Sequence, residues 1–237
     1  MARSIDIKAH DGGSFTGYLA EPAAGKGSAK GGPGILVIQE IFGVNKVMRD
    51  ICDGLAAQGY VALCPDLFWR QQPGIDITDQ TKEEWDQAFK LFGGFNLDLG
   101  IEDLKSSLAV LRKLPGVGGK VGTVGYCLGG RLAYLMACRS DVDAAVGFYG
   151  VMLQDHLDEA KNIRHPLMLH CATEDKFTPK EAQAKIAEAL KAWPLITRYD
   201  YVGNDHAFAR VGGEHYDKAA ADLANQRTMD FFRKHLG

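Results

Sequence analysis

A buried β-run that breaks into a helix through Gly125-Tyr126-Cys127-Leu128-Gly129 constrains this chain more than any other stretch. Lys120 to Val124 suits a short buried strand, and Leu128, Leu132, Leu135 and Met136 then recur at helical spacing. Flanking glycines permit close backbone approach, so the turn lifts the central side chain clear of the sheet. This is the form of a nucleophile elbow, with cysteine in the central place. At a helix N-terminus, unpaired N–H groups and the helix dipole favour a thiolate, which suits Cys127 to attack. The plainer alternative is a buried cysteine at a tight turn.

The segments on either side extend the same alternation. Ser4–Lys8 and Ser14–Ala20 alternate apolar and polar residues around Asp11-Gly12-Gly13, which predicts an antiparallel hairpin. Pro22–Pro33 reads as a loop; its Gly25-Lys26-Gly27-Ser28 lacks the full spacing of a phosphate loop and precedes a strand, so nucleotide binding has little support. Gly34–Gln39 is a continuous apolar run, as in a parallel strand buried on both faces. Asn45 caps a helix carrying Val47, Ile51, Leu55 and Ala56, and Tyr60–Cys64 forms a further strand. Asp79 is placed to cap a helix with a Trp85, Ala88, Phe89 and Phe92 stripe; Leu97, Ile101, Leu104, Leu108 and Leu111 mark the next. Beyond the elbow, Ala144–Tyr149, His165–Cys171 and Ile196–Val202 read as strands. Thr178-Pro179-Lys180-Glu181 has the form of a capped helix start, and Ala220, Leu223, Ala224, Arg227, Phe231 and Phe232 mark a closing helix. Strands alternating with helices predict a mostly parallel sheet covered on both faces, with its reactive rim at the carboxyl strand ends.

A chain of 237 residues, 46% hydrophobic and 24% charged, has enough apolar residues for one core, and a single domain over 1–237 is expected. The net charge of −3 and the lack of a basic stripe argue against nucleic acid or an anionic membrane as partner. The longest apolar run, Ile35–Ile38, is too short to span a bilayer, and Met1–Asp11 lacks a signal core, so a cytoplasmic location is the default. Cys52, Cys64, Cys127, Cys138 and Cys171 show no C-x-x-C spacing for zinc or redox chemistry. A small-molecule partner, no metal and no cofactor are expected, in a monomer or small homo-oligomer.

Cys127, Asp175 and His206 each follow a predicted strand, in the order nucleophile, acid, histidine used by one large class of hydrolases. His206 is suited to take the thiol proton and to return a proton to the leaving group, while Asp175 fixes the imidazole tautomer. Glu174 and Asp205 are rival acids. Asp175 as a loop cap and His206 as a surface histidine are the plainer alternatives.

These residues, with Gln39-Glu40-Ile41-Phe42-Gly43-Val44-Asn45, Cys64-Pro65-Asp66-Leu67, Gly125-Tyr126-Cys127-Leu128-Gly129-Gly130 and His206-Ala207-Phe208-Ala209-Arg210, resemble the dienelactone hydrolases. These are the cysteine-nucleophile branch of the α/β-hydrolase fold, and the resemblance spans nearly the whole chain. It implies a Cys127-His206-Asp175 triad, an oxyanion hole from the backbone N–H groups of Leu128 and Ile41, and Glu40 beside the thiol. A carboxylate there would hold the thiol protonated by like-charge repulsion, yet could take its proton on substrate entry. The alternative for Glu40 is an ion pair with an arginine such as Arg70. The implied activity is opening of small lactones or esters through a thioester.

The pocket departs from the family. Arg210 matches one of two arginines usually set against the substrate carboxylate, but Trp85 stands in the place of the other and Phe89 where tyrosine is usual. Phe42 and Tyr149 complete the expected substrate-binding set. One guanidinium and less polar walls imply weaker binding of anionic lactones and better acceptance of apolar esters. Packing of Trp85 and Phe89 between helix and sheet is the alternative. A non-catalytic ligand-binding relative and a redox-sensing cysteine protein are the rival functions.

Overall fold

The computed structural model describes residues 2–23 and 31–237; the Gly25–Ser28 segment lies outside them. The chain divides into two compact units, Met1–Gly122 with Gly237, and Thr123–Leu236.

In the first unit, β1 (Ala2–Lys8) and β2 (Ser14–Ala20) form the expected hairpin, with Ala2 opposite Ala20 and Lys8 opposite Ser14. Its turn needs Gly12, whose φ of 93° lies in the left-handed region. Ile7, Phe15 and Leu19 are buried from one face of the alternating pattern. β2 runs antiparallel to β4 (Val61–Pro65), and β3 (Gly32–Ile38) runs parallel to β4, in the order β1-β2-β4-β3. Ile35 to Ile38 are wholly buried, which accounts for the uninterrupted apolar run.

Helix α1 (Lys46–Ala57) packs on β2, β3 and β4, and the Asn45 side chain caps it by accepting from the Met48 N–H at 3.2 Å. Its buried face is Met48, Cys52, Leu55 and Ala56; Val47 and Ile51 are only half-buried. Helix α2 (Lys82–Gly93) is capped by Thr81 and not by Asp79. Thr81-Lys82-Glu83-Glu84 is a capping box: Thr81 Oγ1 accepts from the Glu84 N–H, and the Glu84 carboxylate accepts from Thr81 and Thr78. Asp79 instead offers its carbonyl to the Trp85 indole N–H at 3.0 Å. The expected α2 stripe is not a core stripe: Ala88 and Leu91 are buried, Trp85 and Phe92 half-buried, and Phe89 exposed. Helix α3 (Leu97–Lys113), capped by Asn96, buries Ile101, Leu104, Leu108 and Leu111 as the spacing predicts, while Leu97 at its first position is only half-buried.

The second unit carries β5 (Val117–Tyr126, from Thr123 onward), β6 (Ala144–Phe148), β7 (Leu167–Ala172) and β8 (Ile196–Tyr201), in the order β5-β6-β7-β8. β6, β7 and β8 are parallel neighbours, with Phe148 opposite His170 and Ala172 opposite Tyr201. Helix α4 (Leu128–Arg139) packs on β6, and α6 (Lys218–Leu236) packs on β6 and β7. Leu223 faces solvent, and Arg227 lies over the Tyr199 ring at 4.0 Å, so neither belongs to the α6 core face. At α5 (Lys180–Leu190) the predicted cap does not form. Pro179 holds the capping position, Thr178 Oγ1 is buried without a hydrogen bond, and Glu181 pairs with Lys185. The Gln183 side chain takes up the loop, donating to the Thr173 and Thr178 carbonyls. All five cysteines are free. Among the described residues no helix is long and apolar enough to cross a membrane.

Candidate active site

The strand-to-helix turn has the predicted form. Cys127 is the residue between β5 and α4, with φ 56° and ψ −115°, a conformation that needs support from its neighbours. Its N–H donates to the Phe148 carbonyl at 3.1 Å, and its own carbonyl accepts from Arg131 and Val151. A Cβ on Gly125 would overlap the Gly129 carbonyl, and one on Gly130 would overlap the Phe148 carbonyl. Glycine is required at both places by close backbone approach. Leu128 is the first residue of α4, where N–H groups lack an intrahelical acceptor.

Asp175 follows β7 and His206 follows β8, and both are buried. His206 Nδ1 donates to Asp175 Oδ2 at 2.9 Å, while Asp175 Oδ1 accepts from the Phe177 N–H at 2.8 Å. Neither rival acid reaches the ring. Glu174 pairs with Lys180 at 2.8 Å, and Asp205 accepts from the His206 and Lys176 backbone N–H groups. Nearby cationic and N–H groups hold both of these carboxyls below the usual range, against the opposing effect of burial.

Burial by itself would lower the His206 pKa, but the negative charge of Cys127 and the Asp175 hydrogen bond outweigh it and raise it to about 10. Nε2 itself is buried and has no well-formed hydrogen bond, so Cys127 acts on the ring mainly through its charge. Tyr149 and Phe177 stand edge-on to the His206 ring, at 5.1 and 4.8 Å. Tyr149 is among the substrate-binding residues expected from the sequence; Phe177 is not. It sits two residues beyond Asp175 and is 46% exposed, an aromatic at a loop rim whose surroundings no periodicity reveals. Arg210 is buried, in a turn whose backbone N–H bonds to Ala207 at 2.9 Å.

In the first unit, Glu40, Ile41 and Phe42 leave the end of β3 and are all buried. Their loop is held by Gly43, φ 77°, where a Cβ would overlap the Ile75 carbonyl, and by Asn45 Nδ2 donating to the Ile77 carbonyl at 2.9 Å. Trp85 lies edge-on to Phe42 at 5.0 Å and stacked on Phe89 at 5.3 Å, so three of the expected pocket residues form one aromatic cluster. Arg70, the arginine considered for Glu40, is engaged with Asp103 at 2.8 Å and Asp11 at 2.5 Å.

The architecture is that of the α/β-hydrolases. A crystal structure of a Klebsiella pneumoniae subsp. pneumoniae protein, described provisionally as a dienelactone hydrolase, matches with a TM-score of 0.86 at 26% identity, covering 99% of both chains. The chain belongs to the dienelactone hydrolase family, whose model matches residues 15–236. A protein of Azospirillum brasilense, named provisionally a carboxymethylenebutenolidase, is 51% identical over 236 residues, covering 98% of this chain and 99% of its own. The carboxymethylenebutenolidase of Pseudomonas putida is 41% identical over 231 residues, covering 98% and 96% respectively.

Proposed function

We propose that this protein opens small lactones or esters of the dienelactone type through a thioester formed on Cys127. The observation that carries this reading is the buried Asp175–His206 pair, with the imidazole Nδ1 donating to the carboxylate at 2.9 Å. In the first step the Cys127 sulfur adds to the substrate carbonyl carbon, and the carbonyl electrons move onto oxygen. The N–H groups of Leu128 and Ile41 are proposed to receive that oxyanion. When the C=O re-forms, the C–O bond to the leaving oxygen breaks and His206 gives that oxygen a proton. In a lactone the new hydroxyl stays tethered to the acyl group. Water then adds to the thioester, passing a proton to His206, and the C–S bond breaks to release the acid and restore the thiolate–imidazolium pair. Asp175 holds the imidazole in the tautomer both steps require. Between turnovers Glu40 is proposed to give a proton to the thiolate, and to take it back as the next substrate enters. Arg210 anchors a substrate carboxylate, and Phe42, Trp85, Phe89 and Tyr149 line an apolar wall. The five unpaired cysteines support a reducing, cytoplasmic setting.

Brief reaction with an activated aryl ester, followed by mass spectrometry, tests the reading. One acyl group on Cys127 is expected, with turnover falling below a tenth of wild type in Cys127→Ala. Full turnover in Cys127→Ala, or label only on other cysteines, overturns it. Cys127→Ser is expected to be poor too, since a hydroxyl is far harder to ionise.

A further inference from the structure

The geometry points to Asp205 as a positioning residue that locks the loop of the acid to the loop of the histidine; this rests on the triad proposed above. Two loops present the pair, one after β7 and one after β8. Near the sheet they are joined by the Thr173 N–H to the Tyr201 carbonyl at 3.2 Å, Gly203 N–H to Thr173 Oγ1 at 2.9 Å and Glu174 N–H to the Asn204 carbonyl at 2.8 Å. Asp205 continues the series one step outward. Its Oδ1 accepts from the His206 N–H at 2.7 Å and from the Lys176 N–H at 3.4 Å, while Oδ2 pairs with Lys176 Nζ at 3.1 Å. His215 Nε2 lies 3.7 Å from the same oxygen. The residue after the acid and the residue before the histidine are thereby joined, and Asp175 joins to His206 across the same gap.

This crosslink sits where the backbone most needs it. Ala207, immediately after the histidine, has φ 62°, a left-handed conformation that persists in a non-glycine residue only when its surroundings determine it. Fixing the His206 N–H fixes the chain direction entering that residue, and so the place from which the imidazole projects. The side chain of Asp205 is only 17% exposed, whereas that of Lys176 is 76% exposed. The ion pair is therefore the minor arm, weakened by solvent, and the bonds to backbone N–H groups carry the positioning.

Asparagine keeps an oxygen for those N–H groups and loses the charge; alanine loses both. With a p-nitrophenyl ester, Asp205→Ala is expected to lower kcat about ten- to hundredfold with little change in KM, the scale of a slightly misplaced catalytic group. Asp205→Asn is expected to recover most of that loss. The downfield Nδ1 proton resonance of His206 should weaken in Asp205→Ala and persist in Asp205→Asn, a readout that general loosening of the surface does not move. Wild-type kcat and an unchanged resonance in Asp205→Ala overturn the inference, as does Asp205→Asn being as slow as Asp205→Ala. Cys127→Ala and Asp175→Asn run alongside separate the two failures: if these remain active the triad itself is wrong, and if they are inactive while Asp205→Ala is normal only the positioning role fails.

Discussion

His206 and His170 are both buried, yet their protonation is driven in opposite directions. His170 is wholly enclosed, with Nδ1 against the Tyr201 hydroxyl and Nε2 against Thr228, and burial with the nearby Arg227 charge lowers its pKa to about 3. His206 faces a sulfur and a carboxylate, which override burial. Its folded-state pKa of about 10 lies above the ordinary 6.5, so the stability it contributes is complete below pH 6.5 and is lost as pH rises towards 10. Urea midpoints measured from neutral to alkaline pH should fall over that window, and the fall should be shallower in Asp175→Asn. An identical slope in that variant would assign the loss to another group. Selectivity is also a residue-scale matter. If Arg210 anchors a substrate carboxylate, Arg210→Ala should slow an anionic lactone by about tenfold to several-hundredfold and barely affect its methyl ester. Equal losses on both would make Arg210 a support for the turn after His206. Trp85→Arg should shift preference back towards the anionic member. Trp85 stacks on the exposed Phe89 and lies edge-on to Phe42, and this variant separates pocket lining from plain packing.

The element on which the proposed chemistry depends is the β5–α4 turn. Its left-handed Cys127 is held because glycines let the helix start press against the strand behind it and against the Phe148 carbonyl. Gly125→Ala should destabilise by about 1–3 kcal/mol, towards the upper end because the clash is with backbone, and should abolish ester hydrolysis. Gly119, in the same strand with open space around it, is the control. Gly119→Ala should stay within about 0.5 kcal/mol of wild type by thermal denaturation. An unchanged melting temperature in Gly125→Ala would mean that the turn relaxes freely. The elements legible in sequence were those whose signal is local. The hairpin, the Asn45 cap and the α3 stripe stand where periodicity and capping chemistry put them. The misplaced cap at α2 was also a local signal, since Thr81-Lys82-Glu83-Glu84 was there to be read. The absent cap at α5 was not, because Gln183 reaching back to Thr173 and Thr178 is a tertiary contact.

At the scale of the whole molecule, one domain over residues 1–237 remains the proposal. The enthalpy of unfolding decides it. A single cooperative domain of this length should absorb roughly 160 kcal/mol near 60 °C in one transition, with equal calorimetric and van't Hoff enthalpies. Two units unfolding separately would each show about half that value, in transitions that Asp175→Asn would shift unequally. Scanning calorimetry of the full chain distinguishes the two.

By itself the sequence determined the alternation of strands and helices, the elbow around Cys127 and the chain order of the proposed nucleophile, acid and histidine. These depend on hydrophobic period, glycine and capping residues, all short-range properties of the chain. Which of three neighbouring carboxylates serves the imidazole was decided only in three dimensions. Asp175, Glu174 and Asp205 are chemically alike, and the choice rests on loop geometry: Asp175 meets Nδ1, Glu174 turns to Lys180, and Asp205 turns to the backbone. The upward displacement of the His206 pKa is likewise a property of tertiary structure, because burial and charge act through distance in space and leave no trace in residue spacing.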